Sequence, residues 1–492
     1  MKSNKLIYPV FIALLLLGTS CDKEYLETEP TEFITQEQLQ ENSVNNPALL
    51  RGTVTGIYSL MFETGTGGTT GHNDFGQKGC DIWSDMLTGD MALSTNTYNW
   101  YRNFCDYQVT VDFKRNENYV VWRYYYRIIR STNVVIDALG GNDAIPPNQE
   151  NQYLMGQAKA LRAYAYFYLA QFEVNNYDLS QPILPIYTEP VNVGKPKSTA
   201  AEVYDLIISD LTDAISLLDS YTRTAKNQVD KNVAKGLLAY TYAAMGRNSE
   251  AATVSADIIN NSGYPVTSAG QLAYPGAGSG FNDVNTPSWM WGVDLTTDQG
   301  LDLISWWGQM DVYTYSYAWA GDRKVIDNNL YNAIPSNDVR KTQFSASTKL
   351  PLNKFFAPGR AAGGQRNITT DYIYMRVDEF YLLNAETAAK SGDELTARNS
   401  LKALLLNRIP DVSYVDALTG QALLDEIYLQ TRIELWGEGK SYLAMKRNRA
   451  TINRGANHLF QVGVQVPYND DRLSFEIPEA EILNNPFIND QN

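Results

Sequence analysis

Residues 157–169 read QAKALRAYAYFYL, and this stretch decides the fold. Ala158, Leu161, Ala165 and Leu169 recur at helical spacing, so one face of a helix can turn toward a core. Tyr164, Phe167 and Tyr168 add wide aromatic surface, and Arg162 places a cation in the middle. Small residues let a neighbouring helix approach closely, and the rings fill the space beside it. The stretch is predicted to be the central core helix of a mainly α protein built as a helical-repeat scaffold.

The chain on either side supports that expectation. Residues 119–139 carry Trp122, Ile129, Val135 and Ile136 on one helical side. Residues 46–62 do the same with Leu50, Val54, Ile57 and Tyr58. Downstream, Thr199 and Glu202 have capping-box spacing, and Val203, Ile207, Leu211, Ala214 and Leu218 follow on one face. A helix over 231–245 stops at Gly246, and another runs from Ser249 to a stop at Gly263. Their small residues (Ala243, Ala244, Ala251, Ala252) suit a tightly packed hairpin. A second hairpin is predicted at 376–390 and 395–408, across Ser391, Gly392 and Asp393. Residues 419–447 are predicted helical. The hairpins are irregularly spaced, so the chain is no simple repeat array.

Three stretches break the helical pattern. Residues 64–79 are glycine-rich and read as a loop. Residues 80–112 read as an irregular excursion of the kind that often carries function. Residues 265–370 are the least helical part and hold five of the nine Trp. Within them YTYSYAW, residues 313–319, alternates aromatic and small residues at strand spacing. One strand face would then carry Tyr313, Tyr315, Tyr317 and Trp319.

Composition removes several function classes. The chain has 492 residues and a formal net charge of −15, which argues against nucleic-acid binding. It holds 33 Tyr, 16 Phe and 9 Trp, rings that suit wet recognition surfaces as well as helix contacts. Only His72 and His458 occur, and Cys is scarce, so a His/Cys metal site is not expected. Acidic loops could hold calcium through oxygen ligands, though the sequence locates no such site. No motif pairs two carboxylates for glycoside hydrolysis, and no motif surrounds His72. Catalysis is therefore not expected. Cys80 and Cys105 are either a disulfide pair or two separate buried thiols.

The amino terminus predicts export. Lys2 and Lys5 precede an apolar run from Leu6 to Leu17, then Gly18, Thr19 and Ser20. Cys21 follows, in a context that resembles a bacterial lipobox, with Gly18 where that motif often has Leu. The expected organisation is a lipoprotein signal peptide over 1–20 and a lipidated tether over 21–35. A single domain spans 36–492, with the loop-rich insert at 265–370. Loss of Lys2 and Lys5 moves the balance from −15 to −17. Asp22, Lys23 and Glu24 resemble the export signal that sends such lipoproteins to the outer face of the outer membrane.

Several motifs in order resemble one family. The central helix carries A-x-x-LRA-x-x-YF-x-L. Before it, Trp122, Tyr126, Ile129 and Asn133 fall in W-x-x-x-Y-x-x-I-x-x-x-N. QPILPIYTEP follows at 181–190. TRIELWGEGKSYLAMKR supplies Arg432, Glu434, Leu435, Glu438 and Gly439, with Thr431 and Lys440 departing from the usual Glu and Arg. The tail supplies Ile477, Pro478, Glu481, Asn485 and Pro486. Together these resemble the SusD/RagB family of surface nutrient-binding lipoproteins.

The resemblance implies a fold of irregular tetratricopeptide-like hairpins with a few short strands, and a ligand site built from loops. It implies an oligosaccharide cargo and a SusC-like TonB-dependent outer-membrane barrel as partner, with membrane attachment through the lipid on Cys21. The alternative it leaves is a peptide-binding or purely docking lid. It also implies a buried ion-pair network around Glu434 and Glu438, which Thr431 and Lys440 are expected to weaken. Trp100 with Asn103 resembles the aromatic-plus-amide pair of glycan-binding members. Further ligand candidates are Trp83, Asp85, Trp289, Trp306, Trp307, Tyr315 and Trp319. A sugar ring has an apolar C–H face and a rim of hydroxyls, so an aromatic ring can stack while polar side chains bind the rim. Each stacked ring would contribute on the order of 1 kcal/mol. A few such contacts give about −4 to −6 kcal/mol, or millimolar to tens of micromolar affinity.

Overall fold

The structure is a computed structural model, and it describes residues 46–191 and 193–492. The signal peptide, Cys21 and the tether lie outside the described residues. Helices of seven residues or more are labelled in chain order. They are α1 (Pro47–Leu60), α2 (Gln77–Leu87), α3 (Asn116–Ala138), α4 (Gln149–Phe172), α5 (Ala200–Leu217) and α6 (Lys231–Ala244). Then follow α7 (Asn248–Asn261), α8 (Asp378–Lys390), α9 (Glu394–Leu405), α10 (Gly420–Glu434) and α11 (Ser441–Arg447). None of the described helices is long and apolar enough to cross a membrane.

From α3 to α9 each helix packs against the next. The central stretch lies in α4, whose residues from Leu154 to Phe172 are all buried. Its small residues do what their size suggests. Ala158, Ala160, Ala163 and Ala165 are wholly buried, where α3 and α5 close in. Arg162 is buried too, and a buried guanidinium must be paired. It forks onto Asp210 of α5 with two bonds of 2.8 Å and donates to Asn133 Oδ1 of α3 at 2.9 Å. Asn133 in turn donates to the carbonyls of Tyr187 and Glu189. Two of the sequence motifs therefore form one polar clasp across three helices and an extended segment.

The capping box at Thr199 and Glu202 is present and starts α5. Helices α6 and α7 form the first hairpin, α8 and α9 the second, as their spacing predicts. The insert between them leaves the stack and returns, because α7 packs directly against α8. Strands β1 (Trp289–Val293) and β2 (Tyr372–Arg376) pair antiparallel near the two ends of that insert. All ten residues of this pair are buried.

Three expectations change. Residues 80–112 open on the buried helix α2, not on an irregular excursion. Its polar residues disguise it. Gln77 Nε2 donates to Asp81 at 2.8 Å and Lys78 Nζ to the same carboxylate at 2.7 Å, so these groups are paired. Asp85, also buried, accepts the Gly439 N–H at 3.3 Å, and burial pushes its carboxyl well above the ordinary value. Cys80 and Cys105 are both free and buried. Cys105 Sγ lies 3.6 Å from Met86 Sδ, while Cys80 sits on α2 beside Tyr125. Burial pushes both thiols up, Cys105 to about 11. Finally, the 419–447 helix is two helices, α10 and α11, broken at Leu435–Lys440, where Gly437 and Gly439 take left-handed φ of 81° and 73°.

That break serves the buried ion network, which is not weakened. Glu434 receives Arg376 Nη1 at 2.8 Å, Arg408 at 2.7 and 2.8 Å, and Arg340 Nη1 at 3.1 Å. Glu438 receives Arg376 at 2.8 and 3.0 Å and Lys354 Nζ at 2.9 Å. Asp338 and Asp378 complete it against Arg340 and Arg408. The cations come from outside the motif, so the departures within it cost nothing. Thr431 bonds its own helix at Ile427 O, and Lys440 donates to Tyr374 O at 2.9 Å. Arg432 stands apart and pairs with buried Asp90.

Candidate functional site

Residues 313–319 do not form a strand. Thr314 makes one parallel bridge with Gln365, and Tyr317–Ala320 is a single helical turn. Ser316 causes the change. Its Oγ accepts the Trp319 N–H at 2.9 Å and donates to Asp311 O at 2.5 Å, which is an N-cap. Helical rotation then divides the rings. Tyr317 turns inward, while Tyr315 and Trp319 stay 36% and 44% exposed with centroids 5.7 Å apart. Gly363 supports Trp319 from behind. A Cβ at Gly363 would lie 2.7 Å from the indole, and its φ is +63°.

A second loop meets this turn. Buried Asp322 accepts the backbone N–H groups of Thr97 at 2.5 Å, Tyr98 at 2.8 Å and Trp100 at 3.3 Å. Asn99 and Tyr101, on either side of Trp100, take φ of 67° and 66°, left-handed values that are strained for residues with a side chain. The carboxylate offsets that strain and presents Trp100. The indole stacks on His72 with centroids 5.1 Å apart and 6° between planes. Tyr317 links the parts. It lies 5.5 Å from Tyr98 and 5.7 Å from Trp100, and its hydroxyl is 2.6 Å from His72 Nδ1. Burial raises the Tyr317 hydroxyl above its ordinary value, which keeps it protonated.

Beneath the loops, Lys324 is fully buried against the Tyr101 ring and donates to Gln309 Oε1 at 3.0 Å. Burial holds its ammonium down to about 7, against the pull of Asp322. Asp311 is buried as well and accepts from Tyr313 N, Thr314 Oγ1 and Ala357 N. Burial lifts it to about 6 despite those bonds. Two buried carboxylates thus fix two loops whose rings face outward.

Of the sequence candidates, Trp100, Tyr315 and Trp319 come together on this surface. Asn103 is half-buried on the short helix that follows Trp100. The rest belong to the core. Trp83 packs on Phe104 and Phe475, and Asp85 is wholly buried. Trp289 lies in β1, and Trp306 and Trp307 pack edge to face, 2% or less exposed. None of these five presents a face to a ligand. Tyr98 and Asp322 were not singled out in sequence, while Tyr317 was placed on the expected strand face and His72 was weighed only for metal binding and catalysis. The alternation of Tyr98 with Trp100 was a usable signal for the first, while nothing local marks Asp322. Other grooves lie away from this surface. A groove of about 450 Å³ is lined by Tyr119, Trp122, Arg127, Tyr187 and Glu481, none of them in the aromatic surface. Among the described residues, no group of three His, Cys, Asp or Glu side chains is placed to hold a metal.

Removing Asp322 tests this construction. Asp322→Ala leaves three N–H groups without their acceptor and is expected to destabilise the protein by roughly 1–3 kcal/mol. New proteolytic cleavage within residues 94–101 should accompany it. An unchanged cleavage pattern and unfolding midpoint would show that the loop is held by other contacts.

Residues 241–488, half of the chain, match the family model of the SusD family. The chain belongs to the SusD family. Residues 34–243 match a second family model, described as starch-binding and associating with the outer membrane. A crystal structure of a SusD-like carbohydrate binding protein from Bacteroides vulgatus superposes with a TM-score of 0.73 and 25% identity. The match covers 89% of this chain and 96% of that one. A SusD superfamily protein from Bacteroides thetaiotaomicron shares the fold, with a TM-score of 0.72 and 23% identity over 90% of this chain and 98% of that one. SusD-like protein P25 of Formosa agariphila is 24% identical over 232 residues, 47% of this chain and 40% of that protein. The match thus spans less than half the length of this curated SusD relative.

Proposed function

We propose that this SusD-family protein is a lipid-anchored surface protein that binds oligosaccharides and passes them to a TonB-dependent outer-membrane barrel. The observation that carries the reading is the platform of exposed Tyr98, Tyr315 and Trp319 with half-buried Trp100, on loops fixed by Asp322 and Asp311. Rings held rigidly and open to water suit the C–H faces of sugars, and they lose little entropy on binding. The outer-membrane association in one family description and the carbohydrate binding of a structural relative support the same reading. On this reading the platform captures and releases its glycan, the role of a binding protein. Cys21 supplies the anchor, at the outer membrane and facing the exterior.

The test is a glycan array probed with the soluble form lacking residues 1–21. Binding to one polysaccharide class, with micromolar to millimolar affinity and unchanged glycan after incubation, is the expected result. Absence of binding across the array would overturn the glycan reading. Cleaved product would overturn the non-catalytic one.

A further inference from the structure

We propose that the glycan taken by this platform is anionic, with Arg366 reading a carboxylate or sulfate group while a neighbouring sugar stacks on Trp319. The inference rests on the glycan-binding reading above and goes beyond it to the class of sugar. Arg366 is exposed, and its guanidinium carbon lies 4.2 Å from the centroid of the Tyr315 ring. Tyr315 is the ring next to Trp319. The stack holds the guanidinium at the platform while its N–H groups stay free to donate. Among the described residues it has no carboxylate partner.

Its position is fixed by the chain just before it. Tyr315 N donates to Gln365 O at 2.7 Å, and Gln365 Nε2 donates to Thr314 Oγ1 at 3.2 Å and Thr370 Oγ1 at 3.0 Å. A nearby arginine shows what a structural guanidinium looks like in this loop. Arg360 lies against Tyr274, Tyr313 and Phe356 and donates to Leu352 O, Tyr313 Oη and Asn353 Oδ1. Arg366 has one ring and no acceptor.

Charge points the same way. The chain carries a net −15, yet the charged side chain stacked on the exposed rings is a cation. The carboxylates that build the platform, Asp311 and Asp322, are 1% and 0% exposed and committed to backbone N–H groups. Neither faces a ligand to repel it. A guanidinium fork matches the two oxygens of a carboxylate or sulfate, and a fixed one binds them at lower entropic cost.

The experiment measures calorimetric affinity of the soluble form for paired polymers. One pair is oligogalacturonate and its methyl ester, in which each carboxylate charge is replaced by a neutral methyl ester. The other is a sulfated galactan and its desulfated form. The charged member of at least one pair is expected to bind about tenfold tighter than its neutral counterpart. The preferring pair identifies the anion. In Arg366→Ala that ratio should fall to within about twofold, Arg366→Lys should keep part of it, and about 0.5 M salt should erase most of it. Equal affinity for charged and neutral members overturns the inference, as does a preference that survives Arg366→Ala. Equal affinity for both members of each pair, with that binding lost in Trp319→Ala, would leave the glycan reading standing and overturn only this one. No binding to any polymer, charged or neutral, overturns both.

Discussion

Glu434→Ala is expected to destabilise the protein by about 3–5 kcal/mol, the usual cost of breaking a buried ion pair from one side. Glu434 is the acceptor shared by Arg340, Arg376 and Arg408, all wholly buried. Its removal leaves three guanidinium groups facing one another across a space where one carboxylate stood. The partners lie far apart in sequence: Arg376 closes β2, Arg408 follows α9, and Arg340 lies in the insert. The network therefore joins the insert to the second hairpin and to α10, and the loss should appear as one cooperative change. Urea unfolding followed by tryptophan fluorescence measures it. A destabilisation below about 1 kcal/mol would mean that the remaining carboxylates, Asp338, Asp378 and Glu438, neutralise the cations unaided.

The same residue sets a pH dependence. Burial alone would raise the Glu434 carboxyl, but Arg408 and Arg376, followed by Arg340, outweigh it and hold it well below its ordinary value of 4.5. A carboxyl depressed on folding binds fewer protons in the native state than in the unfolded one. Its stabilisation is fully present above about pH 4.5 and is lost as the pH falls toward the folded value. Glu386, held at about 2 by Arg447 and Lys390 against the effect of burial, adds in the same window. Glu434→Gln should flatten the acid limb of the stability curve.

The second large effect is on binding. Trp319→Ala is expected to weaken glycan affinity by at least about tenfold, since it removes the most exposed indole from the centre of the platform. Its side chain is 44% exposed, so stability should change by less than about 1 kcal/mol. Trp307→Ala is the contrasting variant. That ring is wholly buried, and truncation should cost about 3–5 kcal/mol. The pair separates the two uses of tryptophan in residues 265–370. Undiminished glycan binding by a folded Trp319→Ala protein would move the site off this surface.

The helix stack was legible because its signals are local. Helical spacing in α4, the capping box at Thr199 and the glycine stops after α6 and α7 each involve residues within a turn or two of one another. A short-range pattern survives any arrangement of the remaining chain. The ordered motifs likewise pointed to the SusD family, and the clasp of Arg162, Asp210 and Asn133 gives two of them a physical role. Helix α2 was missed because Gln77, Lys78 and Asp81 satisfy one another inside the core, and periodicity registers only apolar faces.

The site was only partly legible, for a related reason. Burial is not a local property. Trp306 and Trp319 have similar surroundings in sequence, yet one packs edge to face against Trp307 and the other stands 44% open to water. The alternation of residues 313–319 suggested a strand, and one serine hydroxyl turned it into a helix that sends Tyr317 inward and Trp319 outward. Cys80 and Cys105 were compatible with a bond until the fold gave each its own neighbours. The sequence by itself determined the helical scaffold and the supply of rings, since both follow from residue type and short spacing. Only the tertiary structure decided which rings face solvent and which cation stands beside them. Those outcomes depend on contacts such as Asp322 with Trp100 N, between residues more than two hundred positions apart.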